Sequence, residues 1–231
     1  LTKIFCDIAD INLIKKFNKK SIVKGFTTNP SLMRKAGAKD YKIYSQKILK
    51  IIKKPVSFEV FADDEKNMIL QGLNISKWGK NVYVKVPITN SKGKFMGNVI
   101  SQLNNKNIKL NITAVYCAKQ TRQILKKINK KTKVIISIFA GRMSDTGIDP
   151  EPIFKKSVRL VKRKSNIKIL WASTREPYNY LQAKKLRCNI ITMPPKIIDQ
   201  IISFGKSSNQ LTLETVKGFL SDSKSSKFSL R

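Results

Sequence analysis

Short apolar runs and longer stretches of helical period alternate along the chain from its start to about position 205. The runs KIFCDIA (3–9), VKGFTT (23–28), VSFEVFA (56–62), VYVKVPI (82–88), KLNITAVY (109–116), VIISIFA (134–140), KILWAS (168–173) and NIITMP (189–194) read as strands. They are rich in β-branched and aromatic residues and are bounded by turn-forming ones. Each precedes a segment with apolar positions at i, i+3 and i+4, near 11–19, 40–53, 64–78, 95–105, 118–129, 150–164, 177–186 and 195–203. Ile48, Ile51 and Ile52 make one such stripe; Ile153, Val158 and Val161 make another. Strands separated by helices of this length pair in parallel through right-handed crossovers. A doubly wound sheet alternates in the same way, but eight strand–helix pairs in 231 residues favour a single (β/α)8 TIM barrel in the α/β class.

Residues 1–205 are therefore expected to form one barrel domain, with 206–231 an extra C-terminal helix and polar tail. GKSSNQ (205–210) reads as a turn, and Val216, Phe219 and Leu220 as one helical apolar face. That face has two candidate partners, its own barrel or a neighbouring subunit. The final SDSKSSKFSLR is polar and expected to fray.

Polar residues interrupt these strands where a parallel barrel carries its chemistry, at the C-terminal ends. They are Asp7 in the first strand, Thr27, Thr28 and Asn29 in the second, Glu59 in the third and Lys85 in the fourth. Asn111 and Thr113 follow in the fifth, then Ser137 in the sixth with Arg142 beyond it, and Ser173 in the seventh with Arg175 beyond it. Lys85 stands in an otherwise apolar strand. A buried ammonium is costly unless paired or deprotonated, and a desolvated amine suits imine formation with a ketone. Glu59, one strand away, is a candidate partner or proton carrier. A salt-bridged or snorkelling lysine at a strand end is the alternative. Arg142, Ser173 and Arg175 could hold a phosphate, since guanidinium forks match its oxygens; surface arginines are the competing reading. The acidic clusters Asp63–Glu65 and Asp145, Asp149, Glu151 look like helix-start and loop residues without metal-ligand spacing.

Composition narrows the chemistry. Histidine is absent, which removes Ser-His-Asp and Cys-His catalysis and His-based zinc sites. The three cysteines, Cys6, Cys117 and Cys188, are scattered and read as reduced core filler. The formal net charge is +33. Such a charge can mean nucleic acid, phosphorylated metabolites or a solvated, biased surface. Lysine far outnumbers arginine and falls along outer helix faces, as in KILKIIKK (47–54), which favours the last reading. No apolar run is long enough to span a bilayer, and LTKIFCDIA reads as a strand rather than a signal peptide. A soluble, cytoplasmic protein with no membrane or specific nucleic-acid partner is expected.

Taken together, GFTTNPS (25–31), VYVKVPIT (82–89), FCDIAD (5–10), FEVFA (58–62), LNITAVY (110–116), SIFAGR (137–142) and ASTR (172–175) resemble the signature segments of the transaldolase family, in its order and spacing. The resemblance covers residues 3–205. It implies that Lys85 forms an imine with a ketose, that Asp7 is the base for carbon–carbon cleavage, and that Glu59 and Thr113 hold a proton-shuttling water. It further implies that Asn29 and Asn111 bind the dihydroxyacetone unit, with Ser137 nearby and Thr27 in support, and that Arg142, Ser173 and Arg175 hold the substrate phosphate. No metal or other cofactor is implied. Sugar phosphates are the implied substrates, and the short chain resembles the compact, decameric branch, hence a homo-oligomer.

Within that resemblance, Glu59 and Phe139 match the transferase pattern. The related fructose-6-phosphate aldolases, which release free dihydroxyacetone, carry Gln and Tyr there. Thr174 and the segment NSKGKFMG (90–97) depart from the family pattern and are expected to alter the pocket or acceptor choice. An aldolase of the same fold and a polyanion-binding barrel are the alternatives to a transaldolase.

Overall fold

A computed structural model describes residues 1–226. Eight parallel strands close into a barrel in chain order, the last pairing with the first. They are β1 (Lys3–Asp7), β2 (Val23–Thr27), β3 (Val56–Glu59), β4 (Val82–Pro87), β5 (Leu110–Val115), β6 (Val134–Phe139), β7 (Ile167–Ala172) and β8 (Ile190–Met193). The expected (β/α)8 fold is the observed one.

The helices are α1 (Ile11–Asn18), α2 (Pro30–Lys35), α3 (Tyr41–Ile51), α4 (Glu65–Ser76), α5 (Gly97–Asn105), α6 (Ala118–Leu125), α7 (Ala140–Ser144), α8 (Glu151–Val161), α9 (Tyr178–Lys185), α10 (Pro195–Ile202) and α11 (Ser208–Ser226). Two of these, α2 and α7, are single short turns that the periodicity does not reveal, because five or six residues cannot repeat a 3.6-residue pattern. Asn29 caps α2 by accepting from the Leu32 amide at 2.8 Å, and Pro30 opens it with a preset backbone angle.

Period-two alternation sorts each strand's side chains. One set, including Phe26, Phe58, Val84, Ile112, Ile136 and Trp171, packs outward against the helices to form the main core. Trp171 stacks on Phe154 of α8 with ring centroids 4.4 Å apart. The other set points inward. Phe5, Ile135, Leu170, Ala172 and Ile190 form a separate apolar cluster inside the barrel, with Tyr83 and Phe139 against it. A Cβ on Gly25 would come within 2.5 Å of the Phe5 ring, so that glycine gives the ring its place in the barrel. Beyond this plug, toward the C-terminal ends of the strands, the inward residues turn polar.

All three cysteines are free, with Cys6 and Cys188 buried. Among the described residues no helix is long and apolar enough to cross a membrane. The last helix is the outlier, because α11 has no buried residue along its 19-residue length. Nothing among the described residues covers Val216, Phe219 or Leu220, which are 55%, 69% and 55% exposed. The stretch expected to fray is helical as far as Ser226; its remainder, 227–231, lies outside the described residues.

Candidate active site

Strand register brings the polar residues together. Glu59 of β3 lies opposite Lys85 of β4, which lies opposite Asn111 of β5, while Asp7 of β1 lies opposite Thr27 of β2. Asp7, Thr27, Lys85 and Asn111 point into the C-terminal opening. A cavity of about 210 Å³ forms there, lined by Asp7, Thr27, Asn29, Lys85, Asn111, Thr113, Ser137, Phe139, Arg142, Ser173 and Arg175, with Ala172 and Thr192. Of the twelve sequence-predicted site residues, only Glu59 is outside this lining, and it pairs with Lys85.

Lys85 is 7% exposed. Its Nζ lies 3.1 Å from Glu59 Oε2 and donates to the Thr28 carbonyl at 3.2 Å. Of the two options for a buried lysine, paired or deprotonated, the geometry is that of a pair. Glu59 is held in turn by Tyr41 of α3, whose hydroxyl oxygen accepts from the Glu59 amide at 2.9 Å.

On the opposite wall, Thr27 donates to Asp7 Oδ1 at 2.6 Å, and the Thr27 and Thr192 hydroxyls are 2.6 Å apart. Since Thr27 spends its proton on Asp7, Thr192 donates to Thr27. Burial pushes the Asp7 carboxyl above the ordinary carboxylate range, while the Lys85 charge and the Thr27 hydroxyl pull it back.

The third wall is an amide held at both ends. Asn111 is fully buried, donates to Ser57 Oγ at 3.0 Å and accepts from Ser137 Oγ at 2.7 Å. One amide hydrogen and one oxygen lone pair remain for a ligand. Next to it β5 bulges: its register to β6 slips between Ile112 and Val115, and Ala114 takes φ 59°. Such a residue costs about 1–3 kcal/mol and persists only where its surroundings impose it. The bulge re-aims the strand at Thr113, whose buried hydroxyl has no hydrogen-bond partner among the described residues.

The outer rim carries the arginines. Arg142 lies in α7 with its guanidinium carbon 5.9 Å from the centre of the Phe139 ring. Arg175 is committed to Asp145, its Nε at 3.0 and 3.1 Å and its second nitrogen at 2.6 Å from the carboxylate. That bonding keeps the exposed Asp145 carboxyl below its usual range. Ser173 adopts a left-handed backbone, φ 62°, and its carbonyl packs on Gly141, where a Cβ would lie 1.7 Å from that oxygen.

Sequence reasoning missed Thr192, Ser57, Tyr41 and Asp145. The first two carried a signal, a lone hydroxyl at an inward position of an apolar strand. Tyr41 and Asp145 carried none, since one acts from a helix and the other from an unpatterned loop. Thr174, expected to alter the pocket, is buried behind it and donates to the Thr192 carbonyl at 2.7 Å.

This lysine–carboxylate site in a parallel barrel agrees with the comparisons. The family model described as Transaldolase/Fructose-6-phosphate aldolase matches residues 4–230. The chain belongs to the transaldolase/fructose-6-phosphate aldolase family. A protein named "Probable transaldolase" from Nitrosopumilus maritimus is 34% identical over 222 residues, covering 95% of this chain and 94% of its own. Another of that name, from Methanococcus maripaludis, is 31% identical over 221 residues, covering 95% and 96%. Among solved structures, orotidine 5'-monophosphate decarboxylase from Metallosphaera sedula aligns with a TM-score of 0.52 at 10% identity, covering 84% of this chain and 88% of its own; that likeness speaks for the barrel alone. As a member of the transaldolase/fructose-6-phosphate aldolase family, the chain is read as an enzyme of the transaldolase or aldolase kind.

Proposed function

We propose that the protein is a transaldolase. It moves a dihydroxyacetone unit from a ketose phosphate, sedoheptulose 7-phosphate or fructose 6-phosphate, to an aldose phosphate in the non-oxidative pentose phosphate pathway, through a Schiff base on Lys85. The observation that carries this reading is the Lys85 amine. It sits buried at the cavity wall against Glu59, with Asp7 lining the same cavity.

Glu59 takes a proton from Nζ, freeing its lone pair to attack the ketose carbonyl. The carbinolamine loses its hydroxyl as water, with protons shuttled by a water held by Glu59 and Thr113, and an iminium forms. Asp7 removes the proton from the hydroxyl beside the bond that breaks. The carbon–carbon electrons flow into the iminium as the aldehyde departs, leaving an enamine. A base in this role benefits from an upward-shifted carboxyl. Asn29 and Asn111 orient the three-carbon unit. Arg142, Ser173 and Arg175 hold the phosphate, which must share or displace Asp145 from Arg175.

Phe139 lines the cavity and offers no proton, so the enamine is kept for an acceptor aldehyde. The acceptor carbonyl carbon bonds to the enamine carbon, Asp7 returns its proton, and water hydrolyses the iminium. Borohydride added with fructose 6-phosphate is expected to fix a covalent adduct on Lys85, read by peptide mass spectrometry, and Lys85→Met to abolish it; an unmodified Lys85 under turnover refutes the proposal. Turnover of fructose 6-phosphate that requires an added aldose phosphate separates transfer from aldolase release. The protein works as a homo-oligomer in the cytoplasm, its exposed α11 packing on another copy.

A further inference from the structure

The positive charge is divided unevenly between the two ends of the barrel. Seven connections lead from a helix back to the next strand: 19–22, 52–55, 77–81, 106–109, 126–133, 162–166 and 186–189. Each carries at least one Lys or Arg, and none carries Asp or Glu. Of the 14 acidic residues, all but Asp199, Glu214 and Asp222 sit at the C-terminal ends of strands, in the segments that follow, or at the first residue of the next helix. Helix dipoles explain part of this, since cations are favoured where helices end. They do not explain lysines at the starts of strands.

Lys3, Lys24, Lys133 and Lys168 occupy such positions and line one cavity of about 320 Å³ at the N-terminal opening. Its apolar lining includes Phe5, Ile135 and Ile190 of the barrel plug, and no acidic residue contributes to it. None of the four ammonium groups has an ion-pair partner among the described residues. Tyr83 lines the same cavity. Two neighbouring lysines differ in being committed: Lys109 donates to the Lys80 carbonyl, and Lys54 to the Asn18 carbonyl at 2.6 Å. Burial, and then repulsion from Lys133 and Lys24 respectively, lowers the pKa of both.

We propose that the N-terminal opening is a second binding site, for a compact anion bearing several phosphate groups, held by Lys3, Lys24, Lys133 and Lys168. Four uncompensated like charges around an apolar-floored bowl repel one another, and a multivalent anion reverses that sign. Lysines act on phosphate as point charges that tolerate varied geometry. A nucleic-acid strand would call for an open track with exposed aromatics for stacking. The bowl is instead closed below, and Phe5 in its lining is 4% exposed. The plug separates this site from the catalytic cavity, so its occupancy does not depend on Lys85.

Inorganic tripolyphosphate titrated calorimetrically into the full chain, at about 0.15 M salt where long-range attraction is screened, is the test. One saturable site per chain is expected, unchanged in Lys85→Met and in Arg142→Ala. The pair Lys133→Ala with Lys168→Ala weakens it about a hundredfold, roughly tenfold per charged contact. The pair Lys162→Ala with Arg163→Ala removes the same charge from the same face outside the cavity and weakens it by less than about threefold. Equal weakening by the two pairs overturns the site in favour of diffuse attraction, and loss of binding in Arg142→Ala relocates the anion to the catalytic end. A single-stranded oligonucleotide that binds more tightly than tripolyphosphate and responds equally to both pairs also overturns it, assigning the face to a nucleic-acid strand.

Discussion

Burial does most to set the character of Asp7, opposed first by the Lys85 charge and then by one hydroxyl. Thr27 holds Oδ1 at 2.6 Å and stabilises the ionised form, opposing the desolvation that raises the carboxyl. A general base works only when ionised, so activity falls as the pH drops through the folded value, which lies above the ordinary carboxylate range. Thr27→Val removes the opposing hydrogen bond, and the acid limb of the kcat/KM profile is expected to move to higher pH, with the alkaline limb in place. An acid limb that stays put or moves down shows that Asp7 is not the titrating base. Gly141 governs the other rim. Gly141→Ala drives a methyl into the Ser173 carbonyl, and since backbone cannot step aside as a side chain does, a loss of about 1–3 kcal/mol in denaturant unfolding is expected. KM for phosphorylated substrates should rise with it, because Ser173 and Arg175 move. Lys85 and Glu59 were legible in the sequence because a charge inside an apolar strand has few bland explanations. The Asp145–Arg175 pair was not, because two loop residues thirty positions apart leave no periodic trace.

Among the elements, strands were easier to read than short helices. A strand declares its inward face in two or three residues, so Asp7, Lys85, Asn111 and Ser137 could be placed on one side of a barrel from alternation alone. The β5 bulge at Ala114 could not, since nothing in LNITAVY marks a left-handed alanine. The apolar face of α11 was legible, but which surface it meets was not, because a helical stripe declares that it is apolar and not what covers it. With Leu211, Leu213, Val216, Phe219 and Leu220 each more than half exposed, the helix is unlike any other in the molecule. Phe219→Asp is expected to lower the assembly state in analytical ultracentrifugation while leaving the circular dichroism of the barrel intact; an unchanged sedimentation coefficient refutes oligomerisation through this helix.

The whole molecule is a ring of eight similar units whose two ends are lined differently. Eight strand–helix repeats in the sequence were enough to close it, since parallel pairing in chain order leaves one arrangement in which no strand edge is bare. The sum of charge was equally plain, but its polarity became visible only once the fold put all seven return loops on one side. Between the ends, the inward apolar cluster carries stability: Leu170 is fully buried within it, and Leu170→Ala is expected to cost about 2–5 kcal/mol in chemical denaturation, with the same m-value.

That cluster also makes the reaction chamber a room with one door. If Lys85 carries a tethered fragment as proposed, that fragment can be reached only through the entrance its precursor used, for the oily wall behind it lies between it and the other end of the barrel. Under that proposal, an aldehyde waiting in that entrance shields the tethered fragment from solvent merely by standing there, and the choice between passing the fragment on and losing it becomes a matter of who occupies the doorway first.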